Sequence, residues 1–134
     1  FPTRRSSDLA VQTLAALRLY FPVASKASAR RFWHKLLAPQ LAQHLLSVAK
    51  KSDIKAATLH HVTSGYLPGK RLSHHHPELT NMTHPQCLEL LDSEENLRAF
   101  LHENMEELKK VYVVLLKCEE PHAHHISLHA PEIA

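Results

Sequence analysis

The order of apolar patterns along the chain constrains its fold more than any single motif. Alternating or β-branched apolar residues predict strands, and apolar residues that recur at helical spacing predict helices. The strand pattern occupies residues 14–24, 53–66, 84–92 and 109–120, and the helical pattern occupies residues 39–51 and 93–108. The predicted order is therefore strand, helix, strand, strand, helix, strand.

Local signals at the ends of these segments support the assignment. Pro22 ends the first strand, and Pro39 lies where the first turn of a helix favours proline. Either Asp92 or Ser93 suits the N-cap of the second helix, and Lys51 suits the negative C-terminal end of the first. We thus expect two helices with well-defined starts.

This order predicts an α+β fold, the ferredoxin-like split βαβ sandwich, with one antiparallel sheet and both helices on one face. A chain of 134 residues suits a single domain, which we expect over residues 10–120 with a long loop at 65–83. The second face of such a sheet needs cover, which makes an oligomer a reasonable expectation.

The two ends of the sequence are predicted to lie outside this domain. Residues 1–9, FPTRRSSDL, are the translation of a common short-read sequencing adapter, so we interpret them as a scar that is not native. Residues 121–134 contain two prolines and four histidines without a regular period, which predicts a His-rich flexible tail.

Composition excludes several classes of protein. With 44% apolar residues, only two glycines and no low-complexity tract, the chain is not typical of disordered proteins. Part of the net charge of +3 comes from residues 1–9, so we expect no nucleic-acid partner. No apolar run is long enough to span a bilayer, and Cys87 and Cys118 lack CxxC spacing. These features favour a cytoplasmic protein with reduced thiols.

The segment GYLPGKRL, residues 65–72, is the first candidate site. Gly65 and Gly69 allow close approach of the backbone, Lys70 and Arg71 supply positive charge, and Arg71 could bind a phosphate or carboxylate through two hydrogen bonds. This pattern is typical of an anion-binding loop. The alternative is a solvated hairpin whose two cations only keep it soluble.

Histidines form the second candidate site, since the chain contains 13 of them. His74, His75, His76 and His84 could bind Zn or Cu through neutral imidazole nitrogens. Consecutive residues on an extended chain point to opposite faces, so a complete site would need His84, the C-terminal tail or another subunit. The alternative is that they are polar loop residues that titrate near neutral pH.

An enzymatic function is the least favoured class. Cys87 and Cys118 fall within predicted apolar strands, where a buried thiol is usually inert. His60 and His61 fall within the second strand and should point to opposite faces, the inward one forming a hydrogen bond in the core. No phosphate loop or serine nucleophile motif is present. We therefore predict no catalytic residues.

Two stretches resemble a known family. APQLAQHLLSVAKKSDIKAATLHHVTSGYLPGKRL, residues 38–72, and HPQCLELLDSEENLRAFLHENMEEL, residues 84–108, are similar to the PII-like superfamily, and specifically to its uncharacterised family, domain of unknown function 190. The shared features are a Pro-Leu helix, an Ala-Thr strand, a Gly-aromatic turn and an Asp-x-Glu-Glu helix start. Where the family has Gly-aromatic-Gly, this chain has Gly65, Tyr66 and Leu67.

The resemblance implies a homotrimer that senses a small molecule without catalysing a reaction. An anionic ligand, with an adenine nucleotide as the candidate, would bind in clefts between subunits through Gly65, Tyr66, Gly69, Lys70 and Arg71. The partner that reads the signal would be a membrane transporter or an enzyme. The alternative is a His-rich trimer that binds a transition metal and resembles the copper-tolerance protein CutA.

Overall fold

The computed structural model describes residues 13–27, 39–76 and 82–119. The predictions for residues 1–9 and 121–134 lie outside these ranges. The elements in chain order are β1 (Leu14–Pro22), α1 (Leu41–Lys51), β2 (Ala56–His61), β3 (Ser64–Gly65), β4 (Ser73–His74), β5 (Pro85–Ser93), α2 (Glu94–Glu103) and β6 (Tyr112–Lys117).

Four strands form one antiparallel sheet in the order β2-β5-β1-β6. β1 lies in the centre, with Leu17 opposite both Leu90 of β5 and Leu115 of β6. The remaining strands, β3 and β4, form a separate two-stranded ribbon at the start of the predicted loop, and β3 takes up the end of the second strand pattern. The fold is the expected ferredoxin-like α+β arrangement.

Both helices cover the same face of the sheet. Alternate residues of β1 and β5 point to that face because side chains along a strand alternate between its two sides. The core that they form with the helices comprises Ala15, Leu17, Leu19, Phe21, Leu41, Ala42, Leu45, Ala49, Leu88, Leu90, Leu97, Phe100 and Leu108. None of the described helices is long and apolar enough to cross a membrane.

α1 ends in a Schellman motif, which explains why the second strand begins later than predicted. Asp53 adopts a left-handed conformation with φ of 57°. Its N–H donates to the carbonyl of Lys50, and the N–H of Ile54 donates to the carbonyl of Ala49. Asp53 and Ile54 therefore complete the helix end, and β2 starts only at Ala56.

α2 is shorter than the sequence pattern predicts. Ser93 is its N-cap, with its hydroxyl accepting from the N–H of Asn96 at 3.2 Å, as one of the two expected caps. At the other end the Asn104 side chain donates to the carbonyl of Phe100 at 2.8 Å, and the helix stops at Glu103. Leu108 is buried, whereas Met105, which falls within the helical pattern of residues 93–108, is 61% exposed.

Two further predictions of side-chain position were wrong. His61 lies opposite Gln86 on the helix side of the sheet, yet it is exposed because β2 is an edge strand that ends there. Cys118 lies just after β6 and is half-buried, where a mid-strand position was expected. Both errors concern edge strands, whose side chains have neighbours on one side only.

Candidate functional site

The predicted anion-binding loop is built on the ribbon formed by β3 and β4. Ser64 pairs with His74 and Gly65 with Ser73, while the N–H of His75 donates to the carbonyl of Thr63 at 2.7 Å. The two arms of the loop are therefore held side by side. Gly65 lies in this ribbon, so its predicted role in exposing the backbone to a ligand has no geometric support.

The tip of the loop is a tight turn at residues 67–70. The N–H of Lys70 donates to the carbonyl of Leu67 at 2.9 Å, with Pro68 and Gly69 between them. Gly69 has φ of 75°, which the third position of a type II turn requires and which glycine adopts without strain. A Cβ at Gly69 would meet no atom within 4 Å, so the backbone angle alone requires glycine there.

Lys70 is the last residue of this turn and Arg71 follows it, and both are exposed. Within residues 13–27, 39–76 and 82–119, neither cation forms an ion pair with a carboxylate, whereas Arg18 and Arg98 both do. Tyr66, at the start of the loop, is 68% exposed. Tyr66, Lys70 and Arg71 therefore present one aromatic ring and two cations to solvent on a loop whose base is fixed.

The histidines of the metal prediction do not converge. His74 and His76 are exposed, and Nδ1 of His74 lies 2.7 Å from the Ser64 hydroxyl. The ring of His75 lies 6.1 Å from that of His84. Across the described part of the chain, no three His, Cys, Asp or Glu side chains are arranged to hold a metal ion. The metal site stays a prediction.

His84 has a different role from the one that its place in the histidine cluster indicated. It is buried at 5% exposure, Nδ1 lies 2.7 Å from the Ser73 hydroxyl, and Nε2 lies 2.6 Å from the carbonyl of Val62. With both ring nitrogens in hydrogen bonds, the side chain has no lone pair directed at a ligand. Its contacts join the loop to the sheet.

A second polar cluster lies on the sheet face that the helices leave open. Arg18 donates to Glu89 at 2.9 Å in the middle of the sheet, and this bond raises the pKa of the guanidinium. Nε2 of His60 lies 4.0 Å from the other oxygen of Glu89 and 2.9 Å from the Thr58 hydroxyl. We did not predict this cluster. The sequence signal that could have revealed it is one charged residue in the middle of each of two apolar strands, Arg18 in β1 and Glu89 in β5, at positions that face away from the helices.

Apolar side chains lie on the β6 side of this pair on the open face. Tyr20 contacts Tyr112 with ring centroids 6.2 Å apart, and Leu116 lies opposite Ala16. Tyr112 is 54% exposed and Leu116 is 38% exposed. The face is thus apolar at the β6 edge, with one compensated ion pair at its centre.

Cys87 lies beside the same ion pair. Burial raises the pKa of its thiol, and the negative charge of Glu89 raises it further. The thiol therefore stays protonated at neutral pH and is a poor nucleophile. This agrees with the inert role expected for Cys87.

The Asp-x-Glu-Glu segment of residues 92–95 organises the junction between β5 and α2. The carboxylate of Asp92, which is 5% exposed, accepts from the Lys55 and Ser93 N–H groups and from the Asn96 side chain, at 2.9, 2.6 and 2.9 Å. Glu94 accepts from Arg98 one turn later at 2.9 Å. These bonds explain the motif as a structural element that caps α2 and attaches the start of β2.

Two solved structures show a distant likeness to this chain. One is an EthD-like protein from Ralstonia eutropha JMP134, with 14% identity, a TM-score of 0.40, and coverage of 85% of this chain and 99% of that one. Another is an amidase of the hydantoinase/carbamoylase family from Burkholderia phymatum, with 15% identity and a TM-score of 0.30. This match covers 82% of the present chain but 29% of the amidase. Neither carries an argument about function.

Comparison with sequence families is more informative, although no curated protein matches the chain. A sequence model of the uncharacterized family DUF190 matches residues 30–119, which include β2, the loop, β5, both helices and β6. The match spans the loop and the Asp-x-Glu-Glu segment on which the resemblance was based. The chain therefore belongs to the DUF190 family of the PII-like superfamily.

Proposed function

We propose that the protein is a non-enzymatic regulator that senses a small anionic ligand through the loop at residues 65–76. An adenine nucleotide is the leading candidate ligand. In this proposal Lys70 and Arg71 bind the phosphate groups, and Arg71 does so through bidentate hydrogen bonds from its guanidinium. Tyr66 provides an aromatic ring on which the base can stack.

The observation that carries the proposal is the pair of uncompensated cations on an anchored loop. A surface cation that already has a carboxylate partner must lose that partner before it can bind an anion. Lys70 and Arg71 have no such partner among the described residues, and the type II turn that ends at Lys70 is fixed by Pro68 and Gly69. Their charge is therefore available to a ligand without a competing internal bond.

The proposal includes a homotrimer in which the ligand lies in clefts between subunits. The open sheet face supports self-association because its exposed apolar residues, Tyr112 and Leu116, adjoin an ion pair that is already internally compensated. Such a face carries little net charge for a charged partner to recognise. The two free cysteines suit a reducing cytoplasm, and the reader of the signal would be a membrane transporter or an enzyme.

Thermal melting with adenine nucleotides of one, two and three phosphates tests this function. A ligand that binds only the native state raises the melting temperature as its concentration increases. We expect a shift with at least one nucleotide, and its loss in the Lys70→Ala, Arg71→Ala double variant. The matched control is Lys50→Ala, Lys51→Ala, another adjacent and exposed pair of cations, which should keep the shift. No shift with any nucleotide would reject the nucleotide version of the proposal.

A further inference from the structure

His84 lies where three segments of the chain meet. Its carbonyl accepts from the N–H of Val23, just after β1, at 2.8 Å. Its ring contacts Val62, which precedes the outgoing arm of the loop, and Ser73, which begins β4 on the returning arm. One buried side chain thus bonds to Val62, at the base of the outgoing arm, and to Ser73 on the returning arm, while its backbone bonds to the residue that follows β1.

Hydrogen-bond chemistry fixes the roles of the two ring nitrogens. The carbonyl oxygen of Val62 can only accept, so Nε2 must carry the proton of that bond. In the neutral ring Nδ1 then has a lone pair, and the hydroxyl of Ser73 donates to it. The neutral imidazole therefore satisfies a carbonyl and a hydroxyl with one donor and one acceptor.

We propose that His84 is a positioning residue that latches the nucleotide-sensing loop to the sheet. In the latched state the ribbon keeps its register and holds the arm that carries Lys70 and Arg71. The returning arm separates from the sheet only when the bond between His84 and Ser73 breaks. The consequence for ligand binding rests on the proposed function, whereas the latch itself does not.

The ribbon contains a second hydrogen bond between a serine hydroxyl and a histidine Nδ1, and comparing the two shows how burial changes the cost of breaking such a bond. The Ser64 hydroxyl lies 2.7 Å from Nδ1 of His74, the same separation as between Ser73 and His84. Ser64 and His74 are exposed, so water replaces that bond when it breaks. Ser73 and His84 are 3% and 5% exposed, so breaking their bond would leave the Ser73 hydroxyl and Nδ1 of His84 without a hydrogen-bond partner. Only the buried bond should therefore control opening of the loop.

Amide hydrogen exchange of the protein without ligand tests the latch. The reporter is the N–H of His75, which bonds to Thr63 across the ribbon, and the amides of β1 and β5 report global unfolding. We expect Ser73→Ala to speed exchange at His75 about tenfold, as the loss of a buried hydrogen bond implies, with little change in β1 and β5. The matched variant Ser64→Ala should leave exchange at His75 close to that of the unmodified protein.

Equal exchange at His75 in the Ser73→Ala and Ser64→Ala variants would overturn the latch. A second comparison separates bonding from packing. In the His84→Asn variant the side-chain amide reaches the position of Nδ1 and can bond to Ser73. The N–H of His75 should therefore exchange more slowly in His84→Asn than in His84→Ala. Equal rates in those two variants would also contradict the proposal.

Nucleotide titrations of the same variants separate the latch from the function. If the latch and the proposed function are both correct, Ser73→Ala weakens the nucleotide-dependent melting shift, and Ser64→Ala does not. If the unmodified protein binds no nucleotide but Ser73→Ala still speeds exchange at His75, the sensing function fails and the latch stands. The two proposals can therefore fail independently.

Discussion

At the scale of single residues, burial and one neighbouring charge set the reactivity of Cys87. Burial raises the pKa of the thiol, and Glu89 adds to the effect. Cys118 is half-buried after the end of β6. We therefore expect iodoacetamide at neutral pH to modify Cys118 first, as read by peptide mass spectrometry.

The Glu89→Gln variant tests the electrostatic part of this account. Removing the carboxylate lowers the pKa of Cys87, so its thiolate fraction and its rate of alkylation should increase at a given pH. Unchanged or slower alkylation of Cys87 in this variant would contradict the assigned cause.

Asp92 gives the largest stability effect that we predict for a polar side chain. Its carboxylate accepts three hydrogen bonds in a buried position, and an asparagine side chain in its place would direct an amide donor at some of those donors. We expect Asp92→Asn to lower the free energy of unfolding by about 1 to 3 kcal/mol, measured in urea.

Asp53→Asn is the matched control for that substitution. Asp53 is exposed in a left-handed conformation that asparagine also adopts readily, so the free energy of unfolding should change by less than about 0.5 kcal/mol. Equal effects at Asp53 and Asp92 would refute the structural role given to the Asp-x-Glu-Glu segment.

Residue-scale predictions from the sequence succeeded where the cause was local. The N-cap at Ser93 follows from the preference of serine for that position, and so it was predictable. The position of His84 was not, because its partners Val62 and Ser73 are 22 and 11 residues away in sequence. A histidine in a sequence cluster and a histidine in a buried hydrogen-bond network look the same until the strands are paired.

At the scale of secondary-structure elements, Glu94 connects the start of α2 to the edge of the sheet. Its carboxylate accepts from Arg98 at 2.9 Å and lies 3.8 Å from the ammonium of Lys117 on β6. The hydrogen bond to Arg98 is the main cause of the lowered pKa of Glu94, and the charge of Lys117 contributes.

The lowered pKa of Glu94 determines how its contribution to the stability of the fold changes with pH. A carboxyl whose pKa is lowered by folding stabilises the folded state above its unfolded pKa, and this contribution disappears as the pH falls through the lower, folded value. Arg98→Gln should raise the pKa of Glu94 towards its ordinary value, as measured by NMR titration. Lys50→Gln, a remote exposed cation, should leave the titration of Glu94 unchanged, and an equal effect of both variants would contradict the assignment to Arg98.

The order and type of the elements were predictable from the sequence, whereas several boundaries were not. Periodicity identified both helices and the four strands of the sheet because each covers several repeats. The end of α2 depends on a side-chain bond from Asn104 to Phe100, and the ribbon at β3 and β4 has only two residues in each strand. Neither the end of α2 nor this short ribbon produces a periodic repeat of apolar residues in the sequence.

At the scale of the whole molecule, the open face of the sheet determines whether the chain acts alone. The proposed trimer predicts a mass in solution of three times the 15.2 kDa of the chain, as measured by light scattering after gel filtration. Tyr112→Glu with Leu116→Glu places two charges on the apolar part of that face and should shift the mass to that of a monomer.

The control for the trimer is Met105→Glu. Met105 is similarly exposed but lies on the turn after α2, so the variant should keep the mass of the unmodified protein. A monomer in the unmodified protein, or a trimer that survives both substitutions on the open face, would contradict the proposed assembly.

Isothermal titration of the protein with the adenine nucleotide that gives the largest melting shift measures directly whether the loop binds the anion. We expect saturable binding that is weakened at least about tenfold in the Lys70→Ala, Arg71→Ala variant, because charged hydrogen bonds are lost. Binding should be unchanged in the Lys50→Ala, Lys51→Ala variant. Equal affinity in the unmodified protein and both variants would show that the loop is not the anion site and would contradict the account.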